Sequence, residues 1–201
     1  MSRLLLVRHG NTKLNSAQRF WGHTDVELST AGIIQAERLR DRLAAEKIDA
    51  IYSSNLSRAK VTAEIIASRH RSPVRTCAEL IEISFGWVEG LTFDEIKQRF
   101  PELAELMADR RSRPQFPGGE GFDDLNKRVE KFLPELEKHS TEETILIVAH
   151  SGILRLMVCH FLEIELQHWR QIHLDLGSLS ILDTCPQGAI LSLLNDVSHL
   201  K

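Results

Sequence analysis

Two apolar runs dominate the chain, Leu4-Leu5-Leu6-Val7 and Thr144-Ile145-Leu146-Ile147-Val148-Ala149, and a histidine follows closely on each. Short unbroken apolar runs that stop at polar residues or glycine read as strands buried on both faces of a sheet. Between them the period changes. Ile33, Ala36, Leu39 and Leu43 recur at helical spacing and predict a helix from Ser29 or Thr30 to Ala45, either residue serving as N-cap. Ile48 to Ser53 reads as a second strand. Leu56, Ala59, Ala63 and Ile66 form the apolar face of a helix that begins near Ser57 and ends before Pro73, and Val74 to Thr76 reads as a third short strand. Strand, helix, strand, helix implies a parallel sheet with right-handed crossovers.

The middle of the chain, about 79–140, has another character. Glu79 to Gly90 mixes acids, aromatics and glycines without period and reads as an ordered, partly buried loop. Thr92-Phe93-Asp94-Glu95 has capping-box spacing and opens a short helix to about Phe100. Pro101 starts the next helix, which ends before Pro114. A loop from Pro114 to Gly121 precedes a helix from about Phe122 to Lys138. After the second apolar run, Ile153 to Leu162 reads as helix. From about His173 two or three short strands follow, with Cys185-Pro186-Gln187-Gly188 as a hairpin turn. The fold class expected is a three-layer α/β/α arrangement with a mostly parallel central sheet. One domain spans 1–201, with 79–140 as an insertion of helices and loops over the sheet.

Composition narrows the function. The chain has 201 residues, 42% hydrophobic and 26% charged, as in ordinary soluble domains. A net charge of −3 without a dense basic run gives no reason to expect nucleic acid as a partner. Arg110, Arg111 and Arg113 adjoin Asp109 and read as a solvated face or a local anion contact. Three cysteines, Cys77, Cys159 and Cys185, are widely spaced and form no metal or disulfide pattern, which suits a reducing compartment. His150, Arg155 and His160 interrupt the longest apolar stretch, against a membrane span, and Leu4 to Val7 is too short for a signal peptide. A cytoplasmic location is expected.

The chemistry gathers where strands end and helices begin, at Arg8, His9, Arg58 and His150. In a parallel sheet those ends share one side. Two arginines and backbone N–H groups after His150 would clamp an anion, most naturally a phosphoryl group. A neutral imidazole among cations is a nucleophile for phosphorus. Arg58 in the first turn of its helix opposes the helix dipole, a small penalty that a bound anion would offset. The remaining histidines, His23, His70, His139, His160, His168, His173 and His199, have no ligand-like grouping. Trp21, Phe85 and Trp87 fit either a pocket wall or core packing, and Glu120 is a candidate for the rim.

Leu6-Val7-Arg8-His9-Gly10-Asn11-Thr12 with Asn15 resembles the Arg-His-Gly signature of the histidine phosphatase superfamily. The resemblance continues, in family order, through Phe20 to Gly32, Tyr52 to Ala59, Glu82 to Gly86 with Glu89 to Leu91, Pro117 to Glu120, and Val148 to Gly152. It implies the phosphoglycerate mutase-like fold and a phosphohistidine mechanism in which His9 attacks phosphorus. Arg8, Arg58 and His150 would neutralise the phosphoryl oxygens, with Asn15, Ser151 and Gly22 as further binding residues. Glu82 would be the acid and later the base; physics alone does not choose it over Glu79 or Glu89, and its spacing to Phe85-Gly86 carries the choice. No metal or organic cofactor is implied, and the partner is a small phosphorylated metabolite.

Asn11 stands where many relatives have Glu, Ser151 where many have Gly, and Trp87 one place before the tryptophan common among the phosphatases. The compact span from Glu82 to His150 favours a phosphatase that admits water over a phosphoglycerate mutase. Motifs and length most resemble α-ribazole-5′-phosphate phosphatases, with broad-specificity phosphatases nearly as close. A cofactor-dependent mutase and a non-catalytic regulatory domain of the same fold remain the alternatives, and the oligomeric state, a homodimer included, stays open.

Overall fold

Alternation along the two apolar runs sends their side chains to opposite faces of one sheet. In the computed structural model, which describes residues 2–14, 19–185 and 187–201, strand β1 is Ser2–Arg8 and pairs in parallel with β4, Thr144–Ala149. Leu4, Leu6, Ile145 and Ile147 belong to one buried cluster, Leu5, Val7, Leu146 and Val148 to the other. Helices α1 (Thr30–Leu43) and α2 (Ser57–Ala67) cover the second cluster through Leu39, Leu43, Ala59, Ala63 and Ile66. Helices α5 (Phe122–Glu137) and α6 (Ser151–Phe161) cover the first through Leu125, Val129, Phe132, Leu154 and Met157. Each of the larger side chains among these, from valine up, contributes about 1.5–3 kcal/mol on burial. The result is the three-layer α/β/α arrangement.

The sheet is mixed. Strands β2 (Ala50–Ser54) and β3 (Val74–Cys77) complete a parallel block, while β5 (Leu179–Cys185) and β6 (Gly188–Asp196) add antiparallel, giving the order β3-β2-β4-β1-β5-β6. The segment between β3 and α5 contains helices α3 (Phe93–Arg99) and α4 (Pro101–Ala108). Thr92 and Glu95 form the capping box, and Pro101 opens α4. The aperiodic stretch before them holds two 3-10 turns, Ala78–Leu80 and Gly86–Val88. Among the described residues, no helix is long and apolar enough to cross a membrane.

Two local expectations change. Helix α6 begins at Ser151, two residues earlier than its apolar pattern suggests. Ser151 and Gly152 carry no helical periodicity, but they leave β4 directly into the first turn. The dipole penalty at Arg58 is offset within the chain: Asp25 accepts from the Ser57 N–H at 2.8 Å and from its hydroxyl at 2.6 Å. Leu56, the N-cap of α2, makes no side-chain capping bond, so a carboxylate from a distant loop supplies the cap.

Asp25→Ala should therefore destabilise the protein by about 1 kcal/mol, the usual worth of a helix cap. Urea unfolding measures it, and an unchanged midpoint would remove Asp25 from this role.

Candidate active site

Register explains why two histidines distant in sequence meet. Arg8 pairs with Ala149 across β1 and β4, so the next residue of each strand is a histidine, and the His9 N–H donates to the Ala149 carbonyl at 3.1 Å. The ring centroids lie 5.0 Å apart. Ser53 pairs with Val148 on the other side of β4, which brings the Ser54 hydroxyl to 2.9 Å from His150 Nε2. Three strand ends thus supply His9, His150 and Ser54 to one place.

The state of His9 follows from its bond. Nδ1 is 2.8 Å from the Gly10 carbonyl; a carbonyl only accepts, so Nδ1 carries the hydrogen and Nε2 keeps a lone pair. Burial, then Arg58 and Arg8, hold this imidazole well below its ordinary pKa. His150 is pushed the same way by burial, then by His9, Arg58 and Arg8. Its Nδ1 is buried and has no hydrogen-bond partner among the described residues. The floor of the site is therefore two neutral rings beside two guanidinium groups.

Those guanidinium groups are fixed by backbone oxygens. Arg58, 2% exposed, donates to the carbonyls of Gly22 at 2.7 Å and Thr24 at 2.9 Å. Arg8 donates to the Leu174 carbonyl at 2.6 Å, and its Nε is buried without a partner among the described residues. Burial lowers both pKa values from the ordinary arginine value, with Glu82 opposing, and both stay charged at neutral pH.

Three nearby acids that look alike in sequence have different surroundings. Glu82 is 9% exposed and lines the cavity. Its carboxylate accepts from the Ile83 N–H at 3.0 Å and the Gly152 N–H at 3.3 Å. A Cβ on Gly152 would stand 2.5 Å from Glu82 Oε1, so a side chain there would push the Glu82 carboxylate out of this position. Glu79 pairs with Lys131, and Glu89 accepts from the His23 and Thr24 N–H groups, steadying the loop that holds Arg58.

Glu120 is not at the rim. It takes both ends of the Arg128 guanidinium, at 3.0 and 2.8 Å, and the Ser84 N–H at 2.9 Å. Arg128 in turn donates to the carbonyls of Glu79, Ile81 and Glu82. Together they hold the backbone that presents Glu82. Sequence reasoning misses Arg128, because one arginine on an amphipathic helix carries no signal.

The cavity encloses about 300 Å³. Arg8, His9, Arg58, Glu82, Ser151 and Gly152 line one part of it, and Trp21 and Phe85 contribute to its walls. His150 lies beneath, fully buried. Gly22 is not among the lining residues; its carbonyl serves Arg58, and the space where its Cβ would stand belongs to the Ile83 carbonyl. Trp87 is 72% exposed, outside the cavity. Asn15 lies outside the described residues. Among the described residues no group of three or more His, Cys, Asp or Glu side chains is arranged to hold a metal.

The chain as a whole resembles known proteins. The sequence profile of the histidine phosphatase superfamily (branch 1) matches residues 4–197. Phosphoserine phosphatase 1 of Hydrogenobacter thermophilus is 32% identical over 200 residues, 100% of this chain and 95% of that protein. The adenosylcobalamin/alpha-ribazole phosphatase of Escherichia coli is 31% identical over 193 residues, 96% of this chain and 95% of that one. The solved structure of Bacillus stearothermophilus YhfR superposes with a TM-score of 0.91 at 32% identity, covering 100% of both chains. The chain belongs to the histidine phosphatase superfamily. It is an enzyme of the phosphatase class with the phosphoglycerate mutase-like fold.

The depressed imidazoles tie stability to pH. Unfolding returns each ring to a pKa near 6.5, so below that pH the unfolded chain binds more protons than the native one. Stability contributed by His9 and His150 is present above 6.5 and declines as pH falls, by up to about 1.4 kcal/mol per unit for each ring. Urea unfolding of His9→Asn between pH 6.5 and 5, without phosphate in the buffer, should show a shallower loss than wild type. Parallel slopes would mean that His9 is not held neutral.

Proposed function

We propose that the protein hydrolyses small phosphomonoesters through a phosphohistidine on His9. The observation that carries this reading is the His9 tautomer: an Nε2 lone pair beside Arg8 and Arg58, held neutral by burial and charge. Nε2 attacks phosphorus as the P–O ester bond breaks. Arg8 and Arg58 neutralise the equatorial oxygens. In this reading the Ser54 hydroxyl, which accepts from the Leu56 N–H, donates to His150 Nε2, and Nδ1 is then the donor to the phosphoryl group. Ser151 and Gly152, in the first turn of α6, add the positive end of its dipole, and Asn15 is assigned a further hydrogen bond.

Glu82, entering this step in its protonated form, gives its proton to the departing alkoxide. It then takes one from water, whose oxygen displaces His9 from phosphorus and releases inorganic phosphate. Catalysis here is positioning and electrostatics, with the arginine clamp supplying charge. No metal ion or organic cofactor takes part. The named relatives leave two substrate candidates, α-ribazole 5′-phosphate and phosphoserine, on equal terms by identity.

His9→Ala should abolish turnover of p-nitrophenyl phosphate, and EDTA should leave the wild type active. Glu82→Gln should slow alkyl ester hydrolysis about 10²–10⁴-fold. With p-nitrophenyl phosphate, whose leaving group needs no proton, the same variant should release a burst of about one nitrophenolate per enzyme and accumulate an acid-labile phosphoenzyme. Retained activity in His9→Ala, or phosphate trapped on another residue, would end the assignment.

A further inference from the structure

Five arginines line the cavity against one carboxylate, Glu82. Four of them have partners. Arg8 and Arg58 hold carbonyls and face the proposed phosphoryl position. Arg19 pairs with Glu95 at 2.7 Å. Arg170 donates to the carbonyls of Met107 and Asp109, at the C-terminal end of α4, where the helix dipole favours a cation. Arg155 has no hydrogen bond or ion pair to any described residue, and its Nε is buried without a partner.

That isolation is costly, because a half-buried cation is ordinarily paired. Burial and then Arg8 push the Arg155 pKa down to about 10, with Glu82 opposing and Arg170 and Arg110 adding repulsion. Its surroundings in α6 are apolar: Ile153, Leu154, Leu156 and Met157 are buried. Four residues after Ser151, Arg155 stands about 6 Å further along the helix from its first turn, at 1.5 Å per residue. A phosphoryl dianion between Arg8 and Arg58 leaves this charge unmatched. A second anion on the same molecule, one short spacer away, matches it within walls formed by Phe20, Phe85 and Phe116, where low polarity strengthens the attraction.

We propose that Arg155, supported by Arg170, binds a second anionic group of the substrate, so that the enzyme selects small phosphomonoesters bearing a carboxylate or a second phosphate. This rests on the phosphatase reading above. It sets aside α-ribazole 5′-phosphate, whose only anionic group is the one removed.

Matched esters test it by kcat/KM. O-phosphoserine is compared with O-phosphoethanolamine, 3-phosphoglycerate with glycerol 3-phosphate, and fructose 1,6-bisphosphate with fructose 1-phosphate. The wild type should favour the more charged member about tenfold or more in the carboxylate pairs or the phosphate pair, which also identifies the second group. Arg155→Met should bring that ratio near one, chiefly by raising KM for the charged member. Its unfolding midpoint should rise, since an unpaired buried charge is gone; a structural arginine would give a fall. Equal rates within every pair, a variant that keeps the wild-type ratio, or a preference for α-ribazole 5′-phosphate would overturn the inference and leave the phosphatase standing. Failure of the wild type on every ester, p-nitrophenyl phosphate included, would remove both.

Discussion

The pairing of Arg8 with Ala149 across β1 and β4 is the constraint on which the site depends. It is maintained by the sheet's own hydrogen bonds and by alternating aliphatic side chains locked into two separate cores. A slip of one residue would exchange Leu4 and Leu6 with Leu5 and Val7 between those cores, and the histidines would part. Precision in the placement of the two rings is therefore a property of the whole sheet, and both occupy the first positions beyond regular strands without a positive φ.

Around this frame a second set of residues fixes what the strands cannot. The Gly22 and Thr24 carbonyls orient Arg58, Glu89 holds their loop, and Asp25 completes the helix on which Arg58 rides. Arg128 and Glu120 do the same for the backbone beside Glu82. Few of these groups can reach a bound ester. Their substitution alters where a charge stands, which in a buried site of low polarity changes its effect steeply.

Legibility in the sequence divided along the same line. The strands and helices could be read because apolar residues recur with the period of the element, and His9 and His150 because each follows a buried run. Glu82 could not be separated from Glu79 and Glu89 by physics, since the difference lies in tertiary partners: Gly152, Lys131 and the His23–Thr24 backbone, respectively. Asp25 and Arg128 look like ordinary surface residues for the same reason. Arg155 showed only as a charge interrupting an apolar stretch; that anomaly was a trace of the cavity. The start of α6 at Ser151 has no signal in the sequence, because a first turn of Ser and Gly carries no apolar period.

That first turn has a further consequence. His150 caps α6 without a side-chain hydrogen bond, and the Gly152 N–H reaches Glu82 at a long 3.3 Å. The end of the helix thus favours any oxyanion that enters, whether or not an organic group is attached. Free inorganic phosphate meets the same donors as the ester from which it came. On the proposed phosphohistidine reading, release of phosphate is opposed by the donors that bind the ester, and phosphate in the surrounding solution would slow turnover and raise folded stability.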